Sequence, residues 1–285
     1  MSFIFRFLYT LFIAVDANFK LKNKDRGIND IELSAGGGCF VETDPYEKHL
    51  EEYGAKAPEV RQCVYFLLQI TEYYTSQLNT CHSDHEAIAW ANLSIPGYKV
   101  NGTGLALCSR HALVRSNGVG DLVKGEKLVL LCSHSIYHMT YLGHRYPAMD
   151  WIVLSCLIGI TLLRLVISYD IACQWRKNLF ERMTEYPEEM RLPSDLEVEV
   201  GIPNWHVNGH GMECQNNLSL SYIPGVGRTC GEDVETSWAH TNSLAPSTRE
   251  MGPGARRETL NDHWNGWNFR KIVGFRKLNL LFGVW

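Results

Sequence analysis

The chain has 285 residues, and its 27 Lys and Arg against 31 Asp and Glu give a formal net charge of -4 at pH 7. Hydrophobic residues make up 45% and charged residues 20%, which is typical of folded proteins and excludes a disordered or fibrous chain. Proteins that coat nucleic acid are usually basic, so the acidic balance confines any DNA contact to local patches or to another domain.

Residues 1–15 form a strongly apolar run in which Arg6 is the only charge. A secretory signal would place basic residues before the apolar run and small residues after it. Here the arginine lies inside the run, and Asp16 follows directly. We therefore predict a buried central strand that delivers a carboxylate at its C-terminal end.

A second apolar run, residues 151–169, approaches the length that crosses a bilayer. Arg164 interrupts it, and a central arginine is costly in lipid, so no membrane association is expected. The run divides better into a helix over about 150–162 and a strand over 165–169 that ends at Asp170. Both apolar strands thus place an aspartate where chemistry collects in open α/β sheets.

The remaining pattern predicts further helices and strands. In chain order these are a helix over 59–78, a strand and loop over 102–114, a short helix over 178–186, and a helix from 231 onward. This alternation indicates an α/β domain with a mixed sheet. The chain is organised as one domain, 1–285, with a helical and loop-rich insertion over 44–150, a loop-rich segment over 176–230, and a helix with a basic, tryptophan-bearing tail over 231–285.

Three acids are candidates for a metal-binding pocket: Asp16, Asp170, and Glu235 on the late helix, with Glu232 as the fallback. Mg²⁺ prefers oxygen ligands, and two such ions can activate a nucleophile and stabilise the leaving oxygen of a phosphodiester. The chain has 31 acidic residues, so spacing alone favours the simpler interpretation that these acids cap turns and helix starts.

Nine widely spaced cysteines with no Cys-x-x-Cys pair argue against a dense disulfide scaffold. A zinc site takes four Cys or His ligands, and the candidates are Cys81, His85, Cys108 and His111. Their spacing matches no common zinc finger, so packed or solvent-facing side chains remain the simpler interpretation.

His206, His210 and Cys214 lie four residues apart, which in a helix would place them on one face. The glycines between them disfavour a helix, so we predict a loop near the active site rather than a metal centre.

The tail combines arginines and lysines with tryptophans that could grip a DNA backbone and stack on splayed bases. The candidate DNA-binding residues are Arg256, Arg257, Arg270 and Lys271. The alternative is that Trp264 and Trp267 fill a core cleft and the basic side chains are solvated.

Six blocks occur in a fixed order between about residues 14 and 271. They are 15–21 (VDANFKL), Cys108 with His111, 168–175 (SYDIACQW), His206 with His210, 225–238 (GVGRTCGEDVETSW) and 247–267 (STREMGPGARRETLNDHWNGW). In this order they resemble the blocks of the fungal Kyakuja-Dileera-Zisupton (KDZ) transposases. Nearly the whole chain takes part in the resemblance.

The resemblance implies an RNase H-like fold and DDE-type DNA cleavage and strand transfer with two Mg²⁺ or Mn²⁺ ions. Carried over by position, Asp16 is the first catalytic acid, Asp170 the second and Glu235 the third. The implied partners are transposon ends and target DNA, with a homo-oligomer possible, and the implied location is the nucleus.

Two positions depart from the family pattern: Thr236 replaces the usual Arg and Cys230 the usual Asp. A truncated or decayed copy, surviving as an inactive DNA- or protein-binding remnant, is therefore one alternative. A secreted or membrane glycoprotein is another, suggested by the two apolar runs and by glycosylation sequons at Asn92, Asn101 and Asn217.

Overall fold

The computed structural model describes residues 9–33, 38–56, 81, 96–123 and 146–282. The strands of this part of the chain are β1 (Thr10–Asn18), β2 (Asn23–Lys24), β3 (Tyr98–Val100), β4 (Gly102–Cys108), β5 (Leu113–Leu122), β6 (Arg164–Tyr169) and β7 (Glu197–Gly201). Its helices are α1 (Thr43–Lys56), α2 (Pro147–Ser155), α3 (Ala172–Trp175), α4 (Leu179–Met183), α5 (Met212–Leu218), α6 (Asp233–Thr241), α7 (Ala245–Thr248) and α8 (Pro253–Phe282).

A mixed five-stranded sheet has the order β5-β4-β1-β6-β7, while β2 and β3 pair separately. β1 runs antiparallel to β4 and parallel to β6, β4 and β5 are antiparallel, and β6 and β7 are parallel. The α/β fold with a mixed sheet flanked by helices is confirmed, and the arrangement is compatible with an RNase H-like fold. β1 is central, and its register places Val15 opposite Tyr169 of β6.

Alternation along β1 sends its side chains to the two faces of the sheet. Ile13 and Val15 belong to a core that includes Met149 and Ile152 of α2, whereas Ala14 belongs to a second core with Trp238 of α6. Asp16 shares the parity of Ala14, and its side chain therefore points to the α6 side.

A buried ion pair fixes the α2 side of the sheet. Asp150 of α2 accepts hydrogen bonds from Arg182 Nε at 2.6 Å and from the indole N–H of Trp175 at 2.8 Å. A second Arg182 nitrogen donates to Asp150 at 3.0 Å. Because both charges are buried, each depends on the other for compensation.

A second buried ion cluster attaches α8 to the sheet. Asp121 of β5 lies 2.6 Å from Arg256 Nη1 and 3.0 Å from Arg257 Nε. Arg256 also donates to the Leu21 carbonyl and to the hydroxyl of Thr103, both at 2.9 Å. The cluster therefore joins α8 to the paired residues Thr103 and Asp121 at the open end of the β4–β5 hairpin, and to the segment that follows β1.

Several predicted boundaries differ from the structure. The first strand begins within the described residues at Thr10 and continues to Asn18, so Asp16 lies inside the strand instead of after it. The 151–169 run divides into a helix and a strand as predicted. The helix α2 ends at Ser155, before the predicted end near 162, and a turn follows it. The long helix α8 replaces the predicted tail, with Pro253 in its first turn. The helix predicted over 59–78 lies outside the described residues.

None of the helices in the part of the chain that the structure describes is both long enough and apolar enough to cross a membrane.

Candidate active site and metal centre

Two aspartates come together on neighbouring parallel strands. Val15 of β1 is level with Tyr169, the last residue of β6. Asp16 is the next residue of β1, and Asp170 directly follows β6. Both lie at the end of the sheet where the chain leaves β6. The charge of Asp170 contributes to raising the pKa of Asp16. The structure thus brings the first two sequence-predicted acids into one site.

Helix α6 supplies the glutamates. Glu232 is its N-cap residue, and Glu235 lies in its first turn, three residues before Trp238. Residues three apart share a helix face, and the indole N–H of Trp238 donates a 2.7 Å hydrogen bond to Oδ2 of Asp16. Glu235 itself is exposed, but it is close enough to Asp16 that its charge also raises the pKa of that carboxyl.

The electrostatics of Asp16 are those of a crowded acid. Burial raises the pKa of its carboxyl to about 7, and the neighbouring Glu235 and Asp170 add to the increase. Hydrogen bonds from the Ala17 backbone and from Trp238 act in the opposite direction. A cation bound here would oppose both the burial and the acidic neighbours that raise the pKa of Asp16.

His206 lies between two of the acids. Its Nδ1 is 3.0 Å from Oδ1 of Asp170, and its Nε2 is 3.8 Å from Oε2 of Glu232. The hydrogen bond with Asp170 raises the pKa of His206 to about 9, so the ring carries a positive charge at neutral pH. Glu232 also accepts a 2.9 Å hydrogen bond from the Trp205 backbone N–H.

Gly231 allows the chain to bring Glu232 close to β6. Its φ of +80° lies in the left-handed region, and an added Cβ would lie 2.6 Å from Leu220 and 2.9 Å from the Ser168 hydroxyl. Only glycine fits both the conformation and the space.

The donor set of the acidic site suits a hard divalent cation, because carboxylate oxygens are what Mg²⁺ prefers. Among the described residues these acids do not form a set of three whose ligand atoms all lie within 4.8 Å of one another. Asp16 therefore interacts electrostatically with both Glu235 and Asp170, without the close grouping of ligand atoms that the cysteine cluster has.

A separate cluster of sulfur and nitrogen atoms lies beside Asp170. The ligand atoms of Cys81, Cys173, His210 and Cys214 are all buried and within 4.8 Å of one another. All the cysteines that the structure describes are free thiols. Burial and the other two sulfurs raise the pKa of Cys173, since closely packed thiolates repel. Three thiols and one imidazole are a typical ligand set for tetrahedral zinc.

His210 faces both groups of residues. Its Nδ1 lies 3.2 Å from Sγ of Cys81 and 3.7 Å from Sγ of Cys173. Its Nε2 lies 3.5 Å from Oδ1 of Asp170. The ring therefore spans the space between the cysteine cluster and the acidic site.

The zinc ligands expected from sequence are only partly brought together. Cys81 lies in the cluster, but Cys108 and His111 contact each other at 3.3 Å and are not members. His85 lies outside the described residues. His210 and Cys214, for which we predicted a loop without metal, are members, and Cys173 was missed. Its position three residues after Asp170 in the SYDIACQW block is the signal that could have identified it.

The four candidate DNA-binding residues separate into two pairs. Arg256 is fully buried and Arg257 nearly so, and their guanidinium groups bind Asp121 instead of facing solvent. The expectation of a DNA contact is corrected for these two, because a buried group already paired with a carboxylate cannot reach a phosphate. Arg270 is exposed and contacts His240 at 2.6 Å, while the Lys271 ammonium lies 4.6 Å from the ring centre of Trp267.

One tryptophan of α8 is buried and the next is partly exposed, like the two pairs of basic residues. Trp264 is fully buried and packs against Phe40, with 5.7 Å between the ring centres. Trp267 is partly exposed and donates a hydrogen bond to the Ala112 carbonyl at 2.6 Å. Trp264 therefore fills the core, as the alternative interpretation proposed.

The sequence was compared with known proteins. The model of the Kyakuja-Dileera-Zisupton transposase family matches residues 9–132 and 128–268, which together span the sheet, the acidic site and most of α8. No curated protein and no solved structure matches the chain.

Proposed function

Because the chain belongs to the Kyakuja-Dileera-Zisupton transposase family, we propose that it cuts and joins DNA strands by DDE-type chemistry. Asp16, Asp170 and Glu235 hold the catalytic cations in this proposal. Membership of a transposase family implies DNA binding, and it suggests a metal cofactor.

The observation that carries the proposal is the level placement of Asp16 and Asp170 on adjacent parallel strands, with Trp238 holding Asp16 from the helix that carries Glu235. Asp16 and Asp170, about 150 positions apart along the chain, thereby meet at one end of the sheet. Acids that only capped turns would not need to be near one another.

Two Mg²⁺ ions in such a site would activate the attacking oxygen and stabilise the leaving oxygen of a phosphodiester. The protein's own contribution is to fix the carboxylates. The indole of Trp238 orients Asp16, the two histidines hold Asp170, and the N-cap position of Glu232 keeps it beside His206.

A strand-nicking assay on supercoiled DNA with Mg²⁺ or Mn²⁺ tests the proposal. We expect Asp16→Asn and Asp170→Asn to lose at least 100-fold in rate, because each removes a charged cation ligand. Asp262→Asn is the matched control, since that aspartate is exposed on α8 outside the site. Equal nicking by wild type, Asp170→Asn and the control would contradict the proposal.

The third acid is decided in the same assay. Glu235→Gln should abolish nicking, whereas Glu232→Gln should weaken it less, because Glu232 is held by the Trp205 backbone and His206. The reverse order would assign Glu232 as the third ligand.

We also propose that Cys81, Cys173, His210 and Cys214 bind one zinc ion. This assignment rests on four buried ligand atoms within 4.8 Å of one another. Three thiolates and one neutral imidazole would give a closed tetrahedral shell, which is typical of a structural zinc site. One zinc per chain by elemental analysis, lost in Cys214→Ala but kept in Cys230→Ala, is the expected result.

An inactive derivative of the family is the second candidate, favoured by Thr236 and Cys230 at positions where the family has Arg and Asp. It keeps the fold and the zinc site but does not nick DNA. Restoring Thr236→Arg and Cys230→Asp together should raise nicking only if these two positions have disabled the site.

A further inference from the structure

We propose that His210 is a positioning residue that links the zinc site to the acidic site. In this arrangement Nδ1 binds the metal while the Nε2–H donates to Oδ1 of Asp170, so that zinc binding orients the carboxylate. The inference rests on the proposed function and adds a dependence of the acidic site on zinc.

The sulfur–nitrogen distances favour metal binding through Nδ1. Zn–S bonds of about 2.3 Å and Zn–N bonds of about 2.0 Å at tetrahedral angles separate the two ligand atoms by roughly 3.5 Å. The Nδ1 distances of 3.2 Å to Cys81 and 3.7 Å to Cys173 bracket this value. The other ring nitrogen faces a carboxylate.

A metal on Nδ1 fixes the proton of a neutral imidazole on Nε2, because only one ring nitrogen then remains to carry it. Nε2 lies 3.5 Å from Oδ1 of Asp170, which would accept a hydrogen bond from that N–H once the metal fixes the ring. Carboxylate, histidine and zinc in this order are a common arrangement, in which the carboxylate and the metal fix each other through the ring.

His210 is enclosed by its surroundings. The His210 side chain is only 1% exposed. Gln215 donates a 2.7 Å hydrogen bond to the His210 carbonyl, and the Gly211 N–H lies 3.4 Å from Sγ of Cys81. The Gln215 side chain therefore holds the His210 backbone, and the following residue, Gly211, contacts the cluster through Cys81.

Asp170 is linked to the zinc site twice. Cys173, a proposed ligand, lies three residues after Asp170 in the short turn and helix that follow β6. His206 approaches the same Oδ1 atom at 3.0 Å. A metal that fixes Cys173 and His210 would thus fix the backbone and the side chain of Asp170 together.

Nitrogen NMR of ¹⁵N-histidine-labelled, zinc-loaded protein tests the assignment without catalysis. We expect the His210 Nδ1 to carry the metal and its Nε2 to carry a proton, and Asp170→Asn should shift that proton signal while zinc stays bound. Metal on Nε2, or a wild-type protein that binds no zinc, would overturn the inference.

His210→Cys tests the link to the acidic site. This variant keeps four ligands for zinc but removes the imidazole that reaches Asp170, so zinc content should remain at one per chain. Mn²⁺ affinity measured by EPR should fall about 10- to 100-fold, the range reported for loss of an outer-shell partner. His263→Cys, on α8, is the control and should bind Mn²⁺ as wild type does.

Zinc retention with unchanged Mn²⁺ affinity in His210→Cys would overturn the link. If this variant does not fold, the NMR measurement on wild type still decides the assignment. Failure of the proposed function gives a different result: the expected NMR signals appear, but Asp170→Asn nicks DNA as fast as wild type.

Discussion

The indole N–H of Trp238 lies 2.7 Å from Oδ2 of Asp16 and joins α6 to the central strand of the sheet. The hydrogen bond lowers the pKa of Asp16, in opposition to the burial and the acidic neighbours that raise it. Trp238 therefore does two things: it holds the helix that carries Glu235 against β1, and it favours the ionised form of the carboxylate.

Trp238→Phe keeps most of the packing but removes this donor. A hydrogen bond to a charged group contributes about 1.5–3 kcal/mol, so nicking should slow by roughly 10- to 100-fold. The pKa of Asp16 should rise further, which moves the pH dependence of nicking to higher pH. Trp264→Phe is the control, because the Trp264 indole N–H has no acceptor among the described residues. A similar loss in both variants would show that packing alone is responsible.

Asp16→Asn should change the dependence of stability on pH. In the metal-free fold the pKa of Asp16 is about 7, above its ordinary 3.8, so the folded state holds a proton that the unfolded chain releases. Stability contributed by that proton is present below pH 3.8 and is lost as pH rises to about 7. Asparagine does not titrate, so the variant does not lose stability in this pH range, and its side-chain oxygen still accepts the hydrogen bond from Trp238.

The Tm of Asp16→Asn should therefore exceed that of wild type by a few degrees at pH 8 in Mg²⁺-free buffer, with ~2–4 °C for each kcal/mol. The difference should disappear near pH 4. Thermal unfolding followed by circular dichroism measures it, in buffer without a chelator, which would also strip metal from the proposed zinc site. A lower Tm for the variant at pH 8 would contradict the assignment.

The basic residues of α8 should separate into structural and DNA-binding groups. Arg270→Ala with Lys271→Ala should weaken DNA binding and reduce the salt dependence of the association constant by about two phosphate contacts. Their removal should leave the Tm unchanged, because Arg270 is exposed and Lys271 lies on the surface of Trp267. Binding measured by fluorescence anisotropy at several salt concentrations checks this prediction.

Arg256→Ala should instead unfold the protein at lower temperature. Its partner Asp121 is buried, and breaking a buried ion pair on one side costs about 3–5 kcal/mol. Chemical denaturation measures the change in the free energy of unfolding. If the variant unfolds like wild type but no longer binds DNA, Arg256 contacts DNA and its structural role is contradicted.

Asp150→Ala should destabilise the α2 side of the sheet by a comparable ~3–5 kcal/mol, because Arg182 would lose a buried partner at 2.6 Å. The double variant Asp150→Leu, Arg182→Met should recover much of the lost stability, since an apolar pair leaves no buried charge without a partner. If the single and the double variants are equally unstable, cavity formation and not the charge is the cause.

The apolar strands could be predicted from sequence because they are continuous hydrophobic runs ending near an acid. That Asp16 and Asp170 are level depends on the parallel register of β1 and β6, which no local pattern encodes. β7 was missed because its residues, EVEVG, alternate charge with valine in a loop-rich region, and only pairing with β6 selects the strand.

The residues proposed to bind zinc could not be grouped from the sequence either. Cys81, Cys173, His210 and Cys214 come from three distant parts of the chain, so their grouping follows from the fold and not from spacing. The pairs predicted by proximity in sequence were partly wrong, since Cys108 and His111 contact each other and do not belong to the cluster. Likewise, adjacent basic residues such as Arg256 and Arg257 suggested a DNA surface, but burial against Asp121 decides their role.

The central position of β1 has a consequence for synthesis on the ribosome. β1 is made early, but its neighbour β6 and the helix that holds Asp16 emerge more than 140 residues later. Folds that depend on such distant pairings form slowly. A nascent chain therefore cannot assemble the acidic site around Asp16 until translation passes Trp238.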